Sequence, residues 1–572
     1  MNKSIALALL FLATSSPAEG VYIRYNYVGY NPAREKKVIV MAERKIDNQK
    51  WVVRDEKAKV VLDGTVGESV CGKGDHAPMP FNYYVDISPL SQEGVYYLET
   101  SGAEKAKIII KKNPYTWLVE KPLRWFRVAR SGSADCLDHK PGHFGDTSCV
   151  VYHRKGTMNS DWSIKTTKKV NAFGGWYDAG DYLKFTLTIA YSDYFLLRAY
   201  EMSPEIFTKK YSTSEYVDVL DEAKWGLDYL MKCMPDTNEF IIEVGDNDDH
   251  NQGCRLPAED TLDGKRPVLS ALSPTQMGYA AASLALGSAT FAKLGKADLA
   301  KRYLDMAERI FGRATSKDAV APAWLAIPEE GESFYDDDSK NDNLELGAAE
   351  LYRATKDPKY LDAGKKYADL ARSAGWRAWE SVNIPAHLRL LDYVPIVKND
   401  IRVDMEDFRK YSQREGNLWG VPLKYVWAGL YCYIGIGSGA LEYKLATHDA
   451  RYERMGSQML DYLMGVNNWG VFFIAAKEIP KSIKHPYSQI YSLQSKLFPE
   501  GAISEGPGDI KEFEKEFPMF GFDNTAEPTY KFNTSKGVFN DNKKDYMCME
   551  TCINGVADGI YMLAIASKFF KD

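Results

Sequence analysis

A chain of 572 residues with 45% hydrophobic and 26% charged content is long enough for more than one domain and has ample apolar surface to bury. Its formal charge of −6 provides no extended basic face, which argues against a nucleic acid or an anionic membrane surface as the main partner. Aromatic residues reach 13%, with 37 Tyr and 12 Trp, enough both to fill cores and to line a ligand cleft.

The first stretch, MNKSIALALLFLATSSPAEG, has one Lys, an apolar run from Ile5 to Ala13 and small residues leading to a cut after Ala18. It reads as a secretory signal over residues 1–18, which predicts a secreted or periplasmic protein. The run is too short to cross a bilayer, and no later segment reaches the roughly 20 apolar residues of a membrane span. Eight cysteines in a chain this long do not make a disulfide scaffold, although export permits individual bridges.

Residues 20–112 alternate in short runs such as KKVIVMAE, KWVVRDE, FNYYVDI, GVYYLET and AKIIIKK, separated by turn residues at near-regular intervals. This spacing predicts an all-β antiparallel sandwich. After residue 115 the texture changes to long stretches with helical spacing, including SDYFLLRAYEM, PTQMGYAAASLALGSATFAKLG and TCINGVADGIYMLAIASKFF. Roughly a dozen helices, several rich in Ala and Gly on one face, predict an all-α barrel of paired helices over residues 115–572. The fold class expected is thus multidomain.

The segment NAFGGWYDAGDYLKF holds Asp178 and Asp181 among Gly174, Gly175, Gly180, Trp176 and Tyr177. Glycines keep this segment out of a helix, so it reads as a loop that brings two acids close to a ligand. The aromatics are flat apolar faces of the kind sugar rings pack against, while carboxylates bind hydroxyls or orient a water. A turn-and-cap cluster is the structural alternative for the same four residues DAGD.

The whole box resembles the GGWYDAGD signature of glycoside hydrolase family 9, and five further blocks fall in that family's order: DNDDHNQGCRLPAED, with His250, Arg255, Pro257, Glu259 and Asp260 in corresponding places; DDDSKNDNLELGAAELYRATKDPKYL; YLMGVNNWGVFF; ISEGPGD; and METCINGVADGIYMLA. The resemblance spans about residues 115–570, and the preceding sandwich is similar to the immunoglobulin-like module that many members carry. It implies an (α/α)6 barrel, also called a six-hairpin barrel, and hydrolysis of a β-1,4-glycosidic bond of glucans with inversion. Inversion requires a protonated acid at the glycosidic oxygen and a carboxylate holding a water on the opposite ring face, roughly 6.5–9.5 Å apart. By resemblance Asp181 is the base, Asp178 helps to hold the water and Glu550 is the acid. Apolar surroundings would keep Glu550 protonated. The chemistry requires no cofactor.

The same resemblance brings expectations for binding and for metals. Trp176, Tyr177, Tyr425 and Trp427 are candidate stacking platforms; His250 and His485 are candidate sugar contacts. Around His485 the family's His-His-Arg motif is altered to KSIKHPYSQIYS, where Lys484 and Tyr487 are the substitutes at hand. Cys136, His143, Cys149 and His153 are a candidate zinc set, with a Cys136–Cys149 bridge as the alternative. Asp337, Asp338 and Asp342 are a candidate calcium set. The substrate expected is a β-glucan or an oligosaccharide, acted on by a monomer. An exo-acting β-glucosidase or β-glucosaminidase is the alternative, with Glu329, Glu330 and Glu332 available to face an amino sugar; a glycan-binding protein without turnover is the competitor outside enzymes.

Overall fold

A computed structural model describes residues 20–153, 164–211, 213–321, 334–335, 337 and 339–571. Residues 1–18, where a signal sequence is expected, and the loop acids Glu329, Glu330 and Glu332 lie outside the described residues, as does Asp338. No helix of the described residues is long and apolar enough to cross a membrane.

Seven strands form the N-terminal sandwich: β1 (Val21–Arg24), β2 (Lys37–Ala42), β3 (Lys50–Asp55), β4 (Val60–Thr65), β5 (Phe81–Asp86), β6 (Gly94–Thr100) and β7 (Ala106–Ile110). They pair as two antiparallel sheets, β1-β2-β5 and β4-β3-β6-β7. Strand β2, KVIVMA, shows why the sandwich is not a free appendage. Val38, Val40 and Ala42 point into the sandwich core, whereas Ile39 and Met41, on the alternate face, join the core that runs through the helical domain. A strand covered on both faces is apolar on both faces, which its nearly unbroken apolar run records.

Polar groups lock the same boundary. Arg34 donates to Asp461 at 2.5 Å, and Asn26 Nδ2 donates to the same carboxylate at 2.8 Å. The Arg24 guanidinium donates twice to the Asn468 carbonyl, and the Tyr27 amide donates to Met464 O at 3.0 Å.

Behind the sandwich, six helices close a ring: Thr186–Met202, Pro274–Lys293, Asn341–Thr355, Asn383–Leu390, Gly429–Thr447 and Ile553–Phe569, each packed on the next and the last on the first. Glu120–Ala129, Asp218–Leu230, Ala297–Ala314, Pro358–Ala371, Val397–Ser412 and Glu453–Leu463 pack outside it. The inner helices Gly429–Thr447 and Ile553–Phe569 are buried along nearly their whole length, whereas Ala297–Ala314 buries one stripe. Their sequences follow that difference, since a helix with no solvent face is apolar all round. Close approach is built in at Gly278, where a Cβ would sit 2.8 Å from the Asn343 carbonyl.

The helical domain is not wholly α. A five-stranded sheet, ordered Lys184–Phe185, Ile241–Val244, Pro267–Ser270, Cys149–His153 and Ile164–Val170, gathers segments from the long connections between helices. These runs of two to seven residues are too short to be told from loop on periodicity alone. The sheet delivers the chain from the box at residues 174–183 into the inner helix at Thr186.

Candidate active site

The box is fixed at both ends by backbone hydrogen bonds. Tyr177 N donates to Ala129 O at 2.8 Å, Asp178 N to Leu183 O at 2.9 Å, and Ile553 N, opening the last inner helix, to Asp178 O at 2.9 Å. Gly174 and Gly175 take φ of 89° and 73°, the left-handed region that side chains avoid, and so turn the chain into the segment that carries Asp178 and Asp181.

Asp178 is buried and held from two directions: the Thr188 hydroxyl, in the first turn of an inner helix, donates to Oδ1, and the Tyr335 hydroxyl donates to Oδ2. Burial pushes its carboxyl up to about 7, with the neighbouring Asp181 charge adding to the rise. Asp181 is more open. Its Oδ1 accepts from Leu183 N at 3.1 Å, and its Oδ2 lies 2.6 Å from His250 Nδ1. That hydrogen bond raises the imidazole above its ordinary value.

Glu550 comes from the other end of the sequence and meets the box directly. Gly180 N, one residue before Asp181, donates to Glu550 Oε1 at 3.0 Å. Gly180 O in turn accepts from Gln489 N at 2.8 Å, and Tyr487 N donates to Met549 O at 2.9 Å, so the segment at 487–489 braces both partners. Burial pushes the Glu550 carboxyl up to about 8, and the Asp181 charge is the next cause.

Under His250 lies a buried ionic cluster. Arg266 pairs with Asp249 at 2.6 Å and with Asp260; Arg255 Nε lies 3.0 Å from Asp260 and its Nη2 donates to Asp249. Asp249 precedes His250, so the Arg255–Asp260 block read in the sequence acts through the backbone that carries the histidine. Arg266 gave no signal in the sequence because nothing local marks it as the hub.

The structure corrects the zinc expectation. His143 is buried at 2.7 Å from Asp260, His153 lies 2.9 Å from Glu239, the Cys149 thiol faces Asp146, and the Cys136 sulfur meets His139. Each donor is occupied elsewhere, the four do not converge, and Cys136 and Cys149 are both free thiols, so neither the closed zinc site nor the bridge forms. Asp337 and Asp342 are both buried, and burial raises both carboxyls, with the Asp342 charge adding to the rise at Asp337; Asp337 Oδ2 has no partner among the described residues. Asp342 Oδ2, by contrast, accepts from Val382 N at 2.8 Å, and no third acid, His or Cys donor closes round the two among the described residues. They offer an oxygen pair among the described residues, and Asp338, the third of the candidate calcium set, lies outside them.

Three platform expectations are corrected as well. Trp176 is fully buried, edge-on to Phe126; Tyr177 packs against His143 and Tyr182; Tyr425 packs against Trp469 and His76. All three rings are buried and packed among other aromatic side chains, so they belong to the core. Trp427, 38% exposed, is the one of the four that reaches solvent. It stacks on Tyr546, which meets Tyr487 edge-on, giving a row of three rings beside Glu550. His485 is held by Asp541 rather than by the carboxylates.

Sequence reasoning missed three groups at this site. Glu505, in the ISEGPGD block, accepts from Trp427 Nε1 at 2.6 Å and lies 3.3 Å from the Cys552 sulfur. Tyr335 and Thr188 clasp Asp178. Tyr335 adjoins the acidic run that drew attention for calcium, which hid its role, while a Glu before Gly-Pro has no local signature.

The model for glycosyl hydrolase family 9 matches residues 115–563, and the model for a cellulase N-terminal ig-like domain matches residues 18–105. Endoglucanase C of Cellulomonas fimi is 24% identical over 539 residues, covering 86% of this chain and 47% of that protein. Endoglucanase 15 of Arabidopsis thaliana is 30% identical over 275 residues, 46% of this chain and 50% of that one. The chain therefore spans about half the length of these relatives. Among solved structures, a metagenome-derived glycoside hydrolase family 9 endoglucanase superposes with a TM-score of 0.76 at 22% identity over 96% of this chain and 99% of its own. A thermostable endoglucanase from Alicyclobacillus acidocaldarius gives 0.75 at 18% identity over 95% and 99%. These likenesses carry the fold, a sandwich ahead of an (α/α)6 barrel, and the chain belongs to glycosyl hydrolase family 9.

Proposed function

We propose that the protein is an inverting endo-β-1,4-glucanase, with Asp181 as general base, Asp178 helping to hold the water and Glu550 as general acid. The observation that carries this reading is the Gly180 N–H bond to Glu550 Oε1, which sets the acid against the loop that bears the base, 370 residues away in the chain.

In the reaction, Glu550 gives its proton to the glycosidic oxygen as the bond to C1 breaks. Asp181, the more exposed of the two aspartates, takes a proton from a water on the opposite face, and that water's oxygen adds to C1. A β-linkage thus yields an α-anomer. His250 Nδ1, 2.6 Å from Oδ2, holds the Asp181 carboxyl in place, while the raised carboxyl of Glu550 supplies the neutral acid near pH 7. Trp427 offers its exposed face to a sugar ring on the side of Glu550. The signal read in residues 1–18 supports a secreted or periplasmic enzyme, a location suited to a polymeric glucan.

A product profile on cello-oligosaccharides, mixed-linkage glucan, xyloglucan and chitosan oligomers tests the substrate. Internal cleavage of β-1,4-linked glucose chains is expected. Release of terminal monosaccharide alone would move the protein to exo action, and preference for chitosan oligomers would make it a glucosaminidase.

A further inference from the structure

Tyr487 has no part in the reaction as described, yet its backbone is joined to that of the acid. Its N–H donates to Met549 O at 2.9 Å, and it pairs with Glu550 as an isolated parallel bridge, so the two residues lie side by side on neighbouring stretches of chain. Two residues on, Gln489 N donates to Gly180 O at 2.8 Å, which fixes the same segment against the box. The ring lies beside the contact between acid and box. The point where a Cβ would stand on Gly180 is 2.8 Å from Tyr487 Cδ1 and 2.9 Å from Glu550 Oε1, the oxygen that accepts from Gly180 N. Because the glycine has no side chain, ring and carboxyl face one another across it. Tyr546 meets the Tyr487 ring edge-on at 5.7 Å, and its own hydroxyl donates to Glu516, so the phenol is backed by a ring that is itself held.

Burial is the largest cause that raises the Glu550 carboxyl, and the residue as a whole is half-buried, so the neighbours at the cleft rim decide how much water reaches it. The charged groups that face it are Asp181 and Asp178, which raise it, and His250, which lowers it. Glu505 is pushed up well above the ordinary carboxyl range by burial and by the charge of Glu550 itself, so it stays protonated while the acid titrates. The Cys552 thiol and the Tyr335 and Tyr431 phenols are raised by burial and stay neutral. Burial, with the Glu550 and Asp181 charges, pushes the Tyr487 phenol up to about 12, which leaves it neutral as well. Of these neutral groups Tyr487, 36% exposed, is the one that reaches solvent. It stands at the boundary between the open cleft and the acid.

We propose that Tyr487 is a positioning residue for the acid: its ring covers the Gly180–Glu550 hydrogen bond at the cleft rim and keeps water from the Glu550 carboxyl. The proposal rests on Glu550 being the acid, and it deepens that reading by naming the group that keeps the acid dry before substrate enters. The ring acts here, and the hydroxyl does not.

Tyr487 lies at the surface of the cleft, so its substitution leaves the core intact. In Tyr487→Ala the upper limb of the kcat/KM profile, where Glu550 loses its proton, is expected to move down by about one pH unit, with activity returning as the pH is lowered. In Tyr487→Phe, which keeps the ring, the limb is expected to stay in place. An unmoved limb in Tyr487→Ala, or a loss by the same factor at every pH, overturns the proposal. So does a limb that moves as far in Tyr487→Phe, which would make the hydroxyl the acting group. A carbon-13 carboxyl titration of protein labelled at Glu reads the same group without turnover: the step that disappears in Glu550→Gln is expected to fall by a similar amount in Tyr487→Ala, and an unchanged step overturns the proposal. If Glu550→Gln stays active, the acid assignment itself falls; if Glu550→Gln is inactive and the Tyr487→Ala step and limb are unmoved, only this inference falls.

Discussion

Glu550 is accommodated by the fold in its neutral form, because burial has pushed its carboxyl from the ordinary 4.5 to about 8. The unfolded chain ionises first as pH rises, so it binds fewer protons than the folded protein between about 4.5 and 8. Stability therefore falls across that window and levels off above it, the reverse of a carboxylate held in a salt bridge. Glu550→Gln removes this contribution, and its Tm is expected to decline less steeply than wild type between pH 5 and 8 in a series of thermal melts. The same substitution, and Asp181→Asn, should each lower kcat by roughly 10²–10⁴-fold with the circular dichroism spectrum unchanged, since each deletes a proton-transfer role. Full activity in either variant on a good substrate would contradict the role assigned to that residue. The three carboxylates were legible as residues because the resemblance fixes each by its neighbours. Glu505 was not, since its meaning lies in a partner 45 residues away across a backbone pairing.

The loop at residues 174–183 shows how far an element's role exceeds its composition. Gly180 has ordinary backbone angles, yet a Cβ there would sit 2.9 Å from Glu550 Oε1 and 2.8 Å from Tyr487 Cδ1. Gly180→Ala must push one of them away, and kcat is expected to fall on the order of 10²-fold with little change in Tm, because a displacement of about 1 Å at the acid is enough. The aromatic content of this region was readable, but the direction of each ring was not: period and spacing do not say which side of a loop faces a cleft. Trp176 and Trp427 separate the two outcomes. Trp176→Ala leaves a hole in the core and should cost about 3–5 kcal/mol in a denaturant titration. Trp427→Ala should fold near wild type and raise KM for oligosaccharides; an unchanged KM would remove it from the binding surface. His143 illustrates the same limit for metals. A Cys/His spacing counts donors, whereas Asp260 had already claimed the imidazole.

For the molecule as a whole, the alternation of sandwich and helix texture made the two-part architecture legible, and a barrel of paired helices was expected from their number and their Ala- and Gly-rich faces. What the pattern did not disclose is how firmly the parts are joined. Asp461, on an outer helix of the barrel, holds both Arg34 and Asn26 of the sandwich in a largely buried cluster. Asp461→Ala leaves an unpaired guanidinium there and is expected to destabilise the protein by about 3–5 kcal/mol. Calorimetry should show the single unfolding transition of the wild type lowered and split as the sandwich uncouples; an unchanged thermogram would mean that the apolar face of β2 suffices alone. That joint places the sandwich against the chain at residues 464–470, whose Trp469 packs on the buried Tyr425.

All of this depends on Asp181 and Glu550 acting from opposite faces of one bound sugar. Anomer-resolved proton NMR of the first product released from a β-1,4-linked cello-oligosaccharide reads that arrangement directly. The account predicts the α-anomer at early times, before mutarotation; a β-anomer would mean net retention and would contradict it.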